Sequence, residues 1–368
     1  MAVFNIIGDS LISQAEFDAR DLASKLKAHA AGEKIEDIQL ANESVLTMSA
    51  AAVQPVLGAA ADGVTPLPPI AFGQPMTIDI RYAYSGGVGM NSGDIAVVSG
   101  VKNWGMTKAS ARALNFLARS KGKRTALTGP GVFENGTNVV SYQKAVNTRQ
   151  VTVGLEIAAA KKDDDFFRTL SNAFTTAGSI PLFLPHAGLL LAAGQLVPII
   201  GKLFDALSGK TEPWTQEDKI NFNLPGTQPS RSEVKLVARN PAAFQNLKIA
   251  PDGGGLVDAA GRPYAGDEPY MILAVYGGAN VDLEDFTPGV VGADFMKRFY
   301  EGQRSGAVLE DFVELMRVAS DFKYRKAAED LKKKLADAAA GSPEAADLQA
   351  RLDAAVKNIL NPVMRPAA

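Results

Sequence analysis

Residues 76–84 read Met-Thr-Ile-Asp-Ile-Arg-Tyr-Ala-Tyr, a pattern that identifies the type of fold. Between Met76 and Tyr84 every second residue is large and apolar or aromatic. Because successive side chains of an extended chain point to opposite faces, the pattern predicts a β-strand with one buried face. Ile95–Val101 and Val139–Val146 are further candidate strands, and Val151–Ile157 alternates in the same way as residues 76–84. Residues 70–165 are therefore predicted to form an antiparallel β-rich unit.

A second β-rich unit is predicted over residues 211–300. Its clearest strand is the apolar run Tyr270–Tyr276, which the glycines at 277 and 278 end. Val234–Val237 is a further candidate strand, and apolar residues alternate again from Ile220 to Leu224. The segment Lys108–Ser120 in the first unit is less regular, and we expect it to be a short helix or an irregular crossover.

Between the two units lies an apolar insert, residues 166–210. Thr169–Gly201 contains no Asp, Glu, Lys or Arg, and its composition favours helix interrupted by three prolines. A bilayer span needs about 20 apolar residues, so the run is long enough to cross a membrane. The prolines and a single span between two β-rich units argue against that interpretation. We expect a proline-broken helical pair buried between the units, with membrane association as the alternative.

The two ends of the chain complete the expected organisation. Residues 301–368 predict a helical hairpin, in which a helix over Val308–Ala339 is followed by a second helix with Ser342 as its cap and Pro343 at its first position. This hairpin is expected to pack on the body or to be exposed for a partner. Residues 1–69 predict a strand over Val3–Ile7, a helix starting near Ser13 and then a loop.

Composition limits the functions that the chain can perform. Lys and Arg together number 38 and Asp and Glu 40, so no overall charge attracts nucleic acid, and we expect no nucleic-acid partner. The absence of cysteine excludes disulfides, thiolate metal sites and cysteine nucleophiles. The N-terminus has no basic region followed by an apolar core, so we expect no signal peptide and a cytoplasmic location.

One motif points to catalysis. Residues 8–11 read Gly-Asp-Ser-Leu, directly after the strand expected at Val3–Ile7. This motif resembles the nucleophile block of GDSL-type ester hydrolases. The resemblance implies that Ser10, beside Asp9, attacks the acyl carbon of an ester.

The base that such a serine needs is missing from its usual place. A serine hydroxyl is almost fully protonated at neutral pH and requires an adjacent base, which the resemblance would place in an Asp-x-x-His pair near the C-terminus. The only histidines are His29 and His186, and the residues three positions before them are Leu26 and Phe183. Catalysis through Ser10 would therefore require a different base.

Acidic clusters raise the question of a metal. Calcium binds six to eight oxygens that converge from loops, as at the ends of C2-type β-sandwiches, which this predicted architecture is similar to. No cluster has the spacing of a helix–loop–helix calcium site, so we expect no cofactor, with calcium as the alternative. The candidate ligands are Asp163, Asp165, Asp282 and Asp285.

The sequence thus predicts an α+β, β-rich protein with two antiparallel β-sandwich-like units, a central apolar helical insert and a C-terminal helical hairpin. The function that we expect is non-enzymatic binding or assembly, through a protein partner or self-association. The alternatives are a GDSL-like ester hydrolase with Ser10 as nucleophile and a membrane-active protein that uses residues 169–201.

Overall fold

A computed structural model gives the fold of the chain. It describes residues 2–7, 10–13, 70–88, 93–103, 112–119, 124–130, 136–161, 182–184, 213–222, 232–244, 246–250, 254–283 and 309–366. Within these ranges the chain forms fourteen strands and two α-helices. The strands are β1 Ala2–Ile7, β2 Ser10–Ser13, β3 Met76–Tyr84, β4 Gly93–Asn103, β5 Arg112–Arg119, β6 Ala126–Leu127, β7 Val139–Gln143, β8 Gln150–Lys161, β9 Leu182–Leu184, β10 Trp214–Asn221, β11 Glu233–Ala238, β12 Lys248–Ile249, β13 Leu256–Val257 and β14 Tyr270–Gly277. The helices are α1 Leu309–Asp337 and α2 Pro343–Lys357.

A nine-stranded antiparallel sheet forms the larger layer. Its strand order is β13-β12-β2-β1-β11-β14-β3-β6, and β7 also pairs with β3. The strands predicted from the alternation at residues 76–84 and from the apolar run at 270–276 are confirmed as β3 and β14, which pair with each other. Arg81 interrupts this pairing as a bulge, since Tyr82 pairs with Ile272 and Ile80 with Leu273.

A five-stranded antiparallel sheet forms the second layer, in the order β10-β8-β4-β5-β9. Two expectations for this region are wrong. Arg112–Arg119, expected to be a helix or crossover, is a strand paired with β4, and it buries Leu114 and Phe116 two positions apart. Leu182–Leu184, inside the apolar segment expected to be helical, is a short strand paired with β5. The other residues of the insert lie outside the described ranges.

Strands from both expected β-rich units are mixed in the two sheets. β3 from the first unit pairs with β14 from the second, and β8 pairs with β10 in the same way. The α+β, β-rich class with antiparallel sheets and two C-terminal helices is confirmed. The ranges 70–165 and 211–300, however, do not each form a separate sheet, because strands of one range pair with strands of the other. The domain boundaries themselves stay predictions.

One hydrophobic cluster contains side chains from both sheets. The nine-stranded sheet contributes residues of β3, β11 and β14, and the five-stranded sheet contributes residues of β4, β8 and β10. Its members are fully or nearly fully buried, among them Ile78, Val237, Leu273, Val97, Val153 and Ile220. Burial of this much aliphatic surface is the main source of stability for such a fold.

The opposite face of the nine-stranded sheet carries an aromatic cluster. We define the aromatic cluster as Tyr82, Tyr84, Phe244, Tyr264 and Tyr270, whose neighbouring ring centroids lie 5.3–5.9 Å apart. The connection between β11 and β14 covers these rings. Stacked and edge-to-face contacts at such distances add to the hydrophobic gain of burial.

The helical hairpin expected at the C-terminus is confirmed. Ser342 caps α2 as predicted, because its side chain accepts a hydrogen bond from the Ala345 N–H at 3.1 Å, and Pro343 follows at the first helical position. The two helices bury a small cluster of their own, including Ala328, Leu331 and Leu348.

The base of the hairpin is fixed to the β-sheet body. The buried Asn358 amide at the end of α2 accepts from the Ala145 N–H at 3.2 Å and donates to the Ala145 carbonyl. Buried Asp321 of α1 accepts hydrogen bonds of 2.8 Å from the N–H groups of Leu360 and Asn361. The hairpin therefore packs on the body at this end. Among the described helices, none is both long and apolar enough to cross a membrane.

Candidate functional site

Three charged side chains, carried by one strand of each sheet, meet in the interior. We define the charged triad as Asp218, Glu233 and Lys235. The Lys235 ammonium nitrogen lies 3.1 Å from Oδ2 of Asp218 and 2.9 Å from Oε1 of Glu233. The side chains are 7% exposed for Lys235, 6% for Asp218 and 12% for Glu233. Charged groups are seldom buried so completely unless they are paired.

Strand alternation explains how the charged triad reaches the interior. On β11, Glu233 and Lys235 share a face with Val237, which belongs to the cluster common to both sheets. On β10, Asp218 shares a face with Trp214 and Ile220 of the same cluster. β10 belongs to the five-stranded sheet and β11 to the nine-stranded sheet, so the charged triad connects the two layers.

The electrostatics of the charged triad favour the ionised lysine. Burial lowers the pKa of Lys235, but the negative charges of Glu233 and Asp218 and their hydrogen bonds outweigh it, so the pKa is raised above its ordinary value. Asp218 is held in place as well, because its Oδ1 accepts a hydrogen bond of 2.9 Å from the backbone N–H of Lys219. The arrangement brings an amine and two carboxyl groups into contact in a site with little access to water.

A second buried carboxyl group lies on the opposite face of the nine-stranded sheet. Asp79 of β3 is 7% exposed, and its Oδ1 lies 2.7 Å from Nε of Arg81. The two atoms are close but poorly aligned for a hydrogen bond, so the contact is mainly one of charge. The Arg81 guanidinium also lies 6.0 Å from the ring centre of Tyr276.

Burial dominates the titration of Asp79. Desolvation raises the pKa of its carboxyl group to about 6, although the charge of the adjacent Arg81 and the hydroxyl of Tyr276 act in the opposite direction. Desolvation likewise raises the pKa of Tyr276 to about 12. Asp79 therefore changes its charge in a range where an ordinary aspartate is already fully ionised.

The hydroxyl groups of the aromatic cluster are engaged in holding the chain. The Tyr270 hydroxyl accepts a hydrogen bond of 2.9 Å from the Leu256 N–H, and the Tyr84 hydroxyl donates to the Gly266 carbonyl at 3.1 Å. Burial raises the pKa of both phenols, to about 12 for Tyr84. These tyrosines bind the connection between β11 and β14 onto the sheet.

The structure places the predicted nucleophile in a strand. Ser10 is the first residue of β2, which pairs back onto β1 so that Ser10 lies opposite Ile7, and it also pairs with Lys248 of β12. Ser10 therefore stands inside the nine-stranded sheet. Asp9 and both histidines, His29 and His186, lie outside the described residues.

Only one of the four predicted calcium ligands lies in the part of the chain that the structure describes, so their grouping stays a prediction. Asp282 lies in a short 3₁₀ turn, Val281–Leu283. The other three candidates, Asp163, Asp165 and Asp285, lie outside the described residues. Across the described ranges, no group of three or more acidic or histidine side chains could hold a metal ion.

Sequence reasoning missed the charged triad. Residues 233–237 read Glu-Val-Lys-Leu-Val, which is a strand with charged residues on one face and apolar residues on the other. Such a pattern ordinarily places the charges in solvent. The available signal was Val237, which continues the face of Glu233 and Lys235 with a residue that belongs in a core.

The sequence matches no protein-family model, and no curated protein matches it. The residues and their geometry are therefore the basis for the functional argument.

Proposed function

We propose that this chain is a non-enzymatic binding or assembly protein that acts through its β-sheet body and its C-terminal hairpin. The observation that carries the proposal is a pair of exposed apolar residues on α1. Phe322 is 61% exposed and Val318 is 49% exposed, one helical turn apart. Residues four positions apart lie side by side on one face of a helix.

The position of this pair on the hairpin supports a docking role. Tyr324, Ala328 and Leu331 face the interior of the hairpin or its base and are buried. Asp321, next to Phe322, is buried and accepts hydrogen bonds from the C-terminal segment. The helix therefore has its own packed side, and Phe322 and Val318 lie apart from it. Exposed aromatic and aliphatic side chains on a fixed helix are typical anchors of protein–protein contacts.

The proposal extends to the body of the protein. We infer that the two sheets pack face to face as a β-sandwich, which would make the body similar to C2-type domains. The hydrophobic cluster with members from both sheets supports this arrangement. A rigid body of this kind would hold the hairpin in a constant orientation toward a partner.

Self-association is the first property to measure. Size-exclusion chromatography with light scattering would compare the wild type with the double variant Val318→Ser and Phe322→Ser. We expect the wild type to have a mass above that of one chain, and the double variant to approach the mass of one chain. Lys326→Ser is the matched control, since Lys326 is exposed one turn beyond Phe322 and its loss should leave the mass unchanged.

A heterologous partner gives a different pattern in the same set of proteins. If the wild type has the mass of one chain, each of the three proteins would be used as bait in a pull-down experiment. A partner that binds the wild type and the Lys326 control but not the double variant supports the proposal. Equal behaviour of all three proteins in both assays contradicts it. Ester hydrolysis that Ser10→Ala abolishes would also overturn it in favour of an enzyme.

A further inference from the structure

The charged triad has the composition and contacts of a site for amide-bond formation. The Lys235 amine nitrogen is in contact with Oδ2 of Asp218 at 3.1 Å and with Oε1 of Glu233 at 2.9 Å. All three side chains are nearly nine-tenths buried or more. A nucleophile, a carboxyl group that it can attack and a second carboxyl group that can carry protons are therefore held together by the fold.

We propose that Lys235 and Asp218 condense to an intramolecular isopeptide bond, with Glu233 carrying the protons. The bond would link β11 of the nine-stranded sheet to β10 of the five-stranded sheet. It would form without a cofactor and without a second protein, because every reacting atom belongs to this chain.

The atoms and charges of the reaction balance. Glu233 takes a proton from the Lys235 ammonium and delivers it to Oδ2 of Asp218, which leaves a neutral amine beside a neutral carboxyl group. The amine nitrogen then attacks the Asp218 carboxyl carbon, and Glu233 removes a proton from that nitrogen. Glu233 returns this proton to the Oδ2 hydroxyl, which departs as water while the amide forms. An ammonium and a carboxylate are thus converted to an amide and one water, and Glu233 ends as it began.

Asp218 is oriented for this reaction. Its Oδ1 accepts a hydrogen bond of 2.9 Å from the Lys219 N–H, and Oδ2 is the oxygen next to Lys235. The N–H group would therefore stabilise the negative charge that develops on Oδ1 during attack, and Oδ1 becomes the amide oxygen. The oxygen near the amine is the one that leaves.

The apolar surroundings of the charged triad explain how an amide bond could form and persist although the protein is in water. Ile220 and Val237 occupy the next positions on the same strand faces, Trp214 lies farther along the face of Asp218, and all three belong to the buried cluster. Fixed contact between reacting groups replaces a bimolecular encounter, which can be equivalent to an effective concentration of about 10⁵ M or more. Exclusion of water also opposes hydrolysis of the amide once it has formed.

Glu233 is needed because the lysine starts in its charged form. Burial lowers the pKa of Lys235, yet the two carboxylates outweigh burial and raise it, so an ammonium without a nucleophilic lone pair is the resting state. A proton must move within the triad before attack is possible. Glu233 is the carboxyl group in contact with Lys235 that is not itself consumed.

The test is the mass of the intact, full-length protein, measured when freshly purified and again after prolonged incubation. We expect the wild type to be lighter than its sequence by the mass of one water. Because trypsin does not cleave after an acylated lysine, we further expect peptides 211–219 and 232–239 to be recovered as one cross-linked species. Peptide-level assignment is required, since the Asp-Gly pairs at 62–63 and 252–253 can also lose water by forming succinimides.

Glu233→Gln is the decisive variant, because it keeps the size of the side chain but cannot carry a proton. We expect it to fold, as judged by circular dichroism, and to show its full sequence mass and separate peptides. Lys235→Arg, which keeps the positive charge, is expected to give the same result. A wild type with its full mass and an unmodified Lys235 peptide would overturn the proposal and leave an ion pair. Cross-linking that persists in Glu233→Gln would overturn the role of Glu233.

Discussion

The two faces of the nine-stranded sheet bury charge in different ways. On the face that carries the hydrophobic cluster shared with the five-stranded sheet, Lys235 contacts two carboxylates, and its pKa is raised so that the charge is retained. On the opposite face, the only charged group that the described residues place in contact with Asp79 is the 26% exposed Arg81, and burial raises the pKa of Asp79 to about 6 so that the charge is readily lost. Burial is similar in the two places. The number and alignment of the partners decide whether the ionised form survives.

The largest effect is expected from Lys235→Met. This change leaves Asp218 and Glu233 buried side by side without a positive charge, and removal of one partner from a buried ion pair typically costs about 3–5 kcal/mol. The free energy of unfolding, measured by urea denaturation at neutral pH, should fall by that amount. A covalent link between Lys235 and Asp218 would make the loss larger.

The neighbouring Lys219 supplies the control for that measurement. Lys219 is exposed on β10, next to Asp218, so Lys219→Met should change the free energy of unfolding by less than about 0.5 kcal/mol. If the two variants are equally stable, the charged triad contributes nothing to the fold, and the contrast between the two faces fails.

Asp79→Asn should produce a smaller change, and one that depends on pH. The folded-state pKa of Asp79 is about 6 and its ordinary value is 3.8, so the folded protein binds more protons between these values. The wild type therefore loses stability as the pH rises from 4 to 6, and the full cost is present above pH 6. Asparagine cannot titrate, so the stability of the variant relative to the wild type should increase by on the order of 1–3 kcal/mol over this range.

Asp258 provides a control, because its effect on the free energy of unfolding changes with pH in the opposite direction. Its pKa is lowered, mainly by a hydrogen bond from the Arg262 backbone N–H, so its contribution to stability is present above its ordinary pKa and is lost as the pH falls. Asp258→Asn should therefore lose stability relative to the wild type as the pH rises. The relative stability of Asp258→Asn should change below pH 3.8 and that of Asp79→Asn between pH 4 and pH 6. Urea denaturation at pH 3, pH 4.5 and pH 7.5 therefore separates the two cases. A parallel response of both variants would contradict the assigned environment of Asp79.

The smallest effect is expected from Tyr270→Phe, which tests the uncharged hydrogen bonds of the aromatic cluster. The change removes the acceptor of the Leu256 N–H but keeps the ring contacts, and should lower the free energy of unfolding by about 1 kcal/mol. Hydrogen exchange at the Leu256 amide should become faster. Tyr84→Phe removes the bond to the Gly266 carbonyl instead, so exchange at Leu256 should be unaffected. Equal acceleration in both variants would mean that the whole connection loosens together.

Local patterns were sufficient to predict some of these elements. The alternation from Met76 to Tyr84 and the apolar run from Tyr270 to Tyr276 correspond to β3 and β14, and Ser342 with Pro343 marks the start of α2. These signals depend on residues close together in sequence, and each satisfies a local requirement of its strand or helix. Periodicity and capping can therefore be recognised without knowledge of the partners.

Pairing over long sequence distances could not be predicted in the same way. Arg112–Arg119 contains Leu114 and Leu117 at helical spacing, and only its pairing with β4 makes it a strand. The charged triad and the buried Asp79 depend equally on distant neighbours. Lys235, for example, becomes interior only when β11 of the nine-stranded sheet contacts β10 of the five-stranded sheet. The exposed pair on α1 could not be predicted either, because the sequence did not indicate which side of α1 is covered by α2.

The place of the N-terminal strand in the large sheet has a consequence for synthesis on the ribosome. β1 lies between β2 and β11, with Val3 opposite Val237, so the pairing along one of its two edges cannot form until the chain beyond residue 238 has emerged. β3 must similarly wait for β14. Proteins dominated by such distant pairings fold slowly, and their unpaired strands are open to aggregation meanwhile. Nascent chains that stop before β11 also lack β12, the partner of β2, so they would expose the β1–β2 hairpin with both edges unpaired.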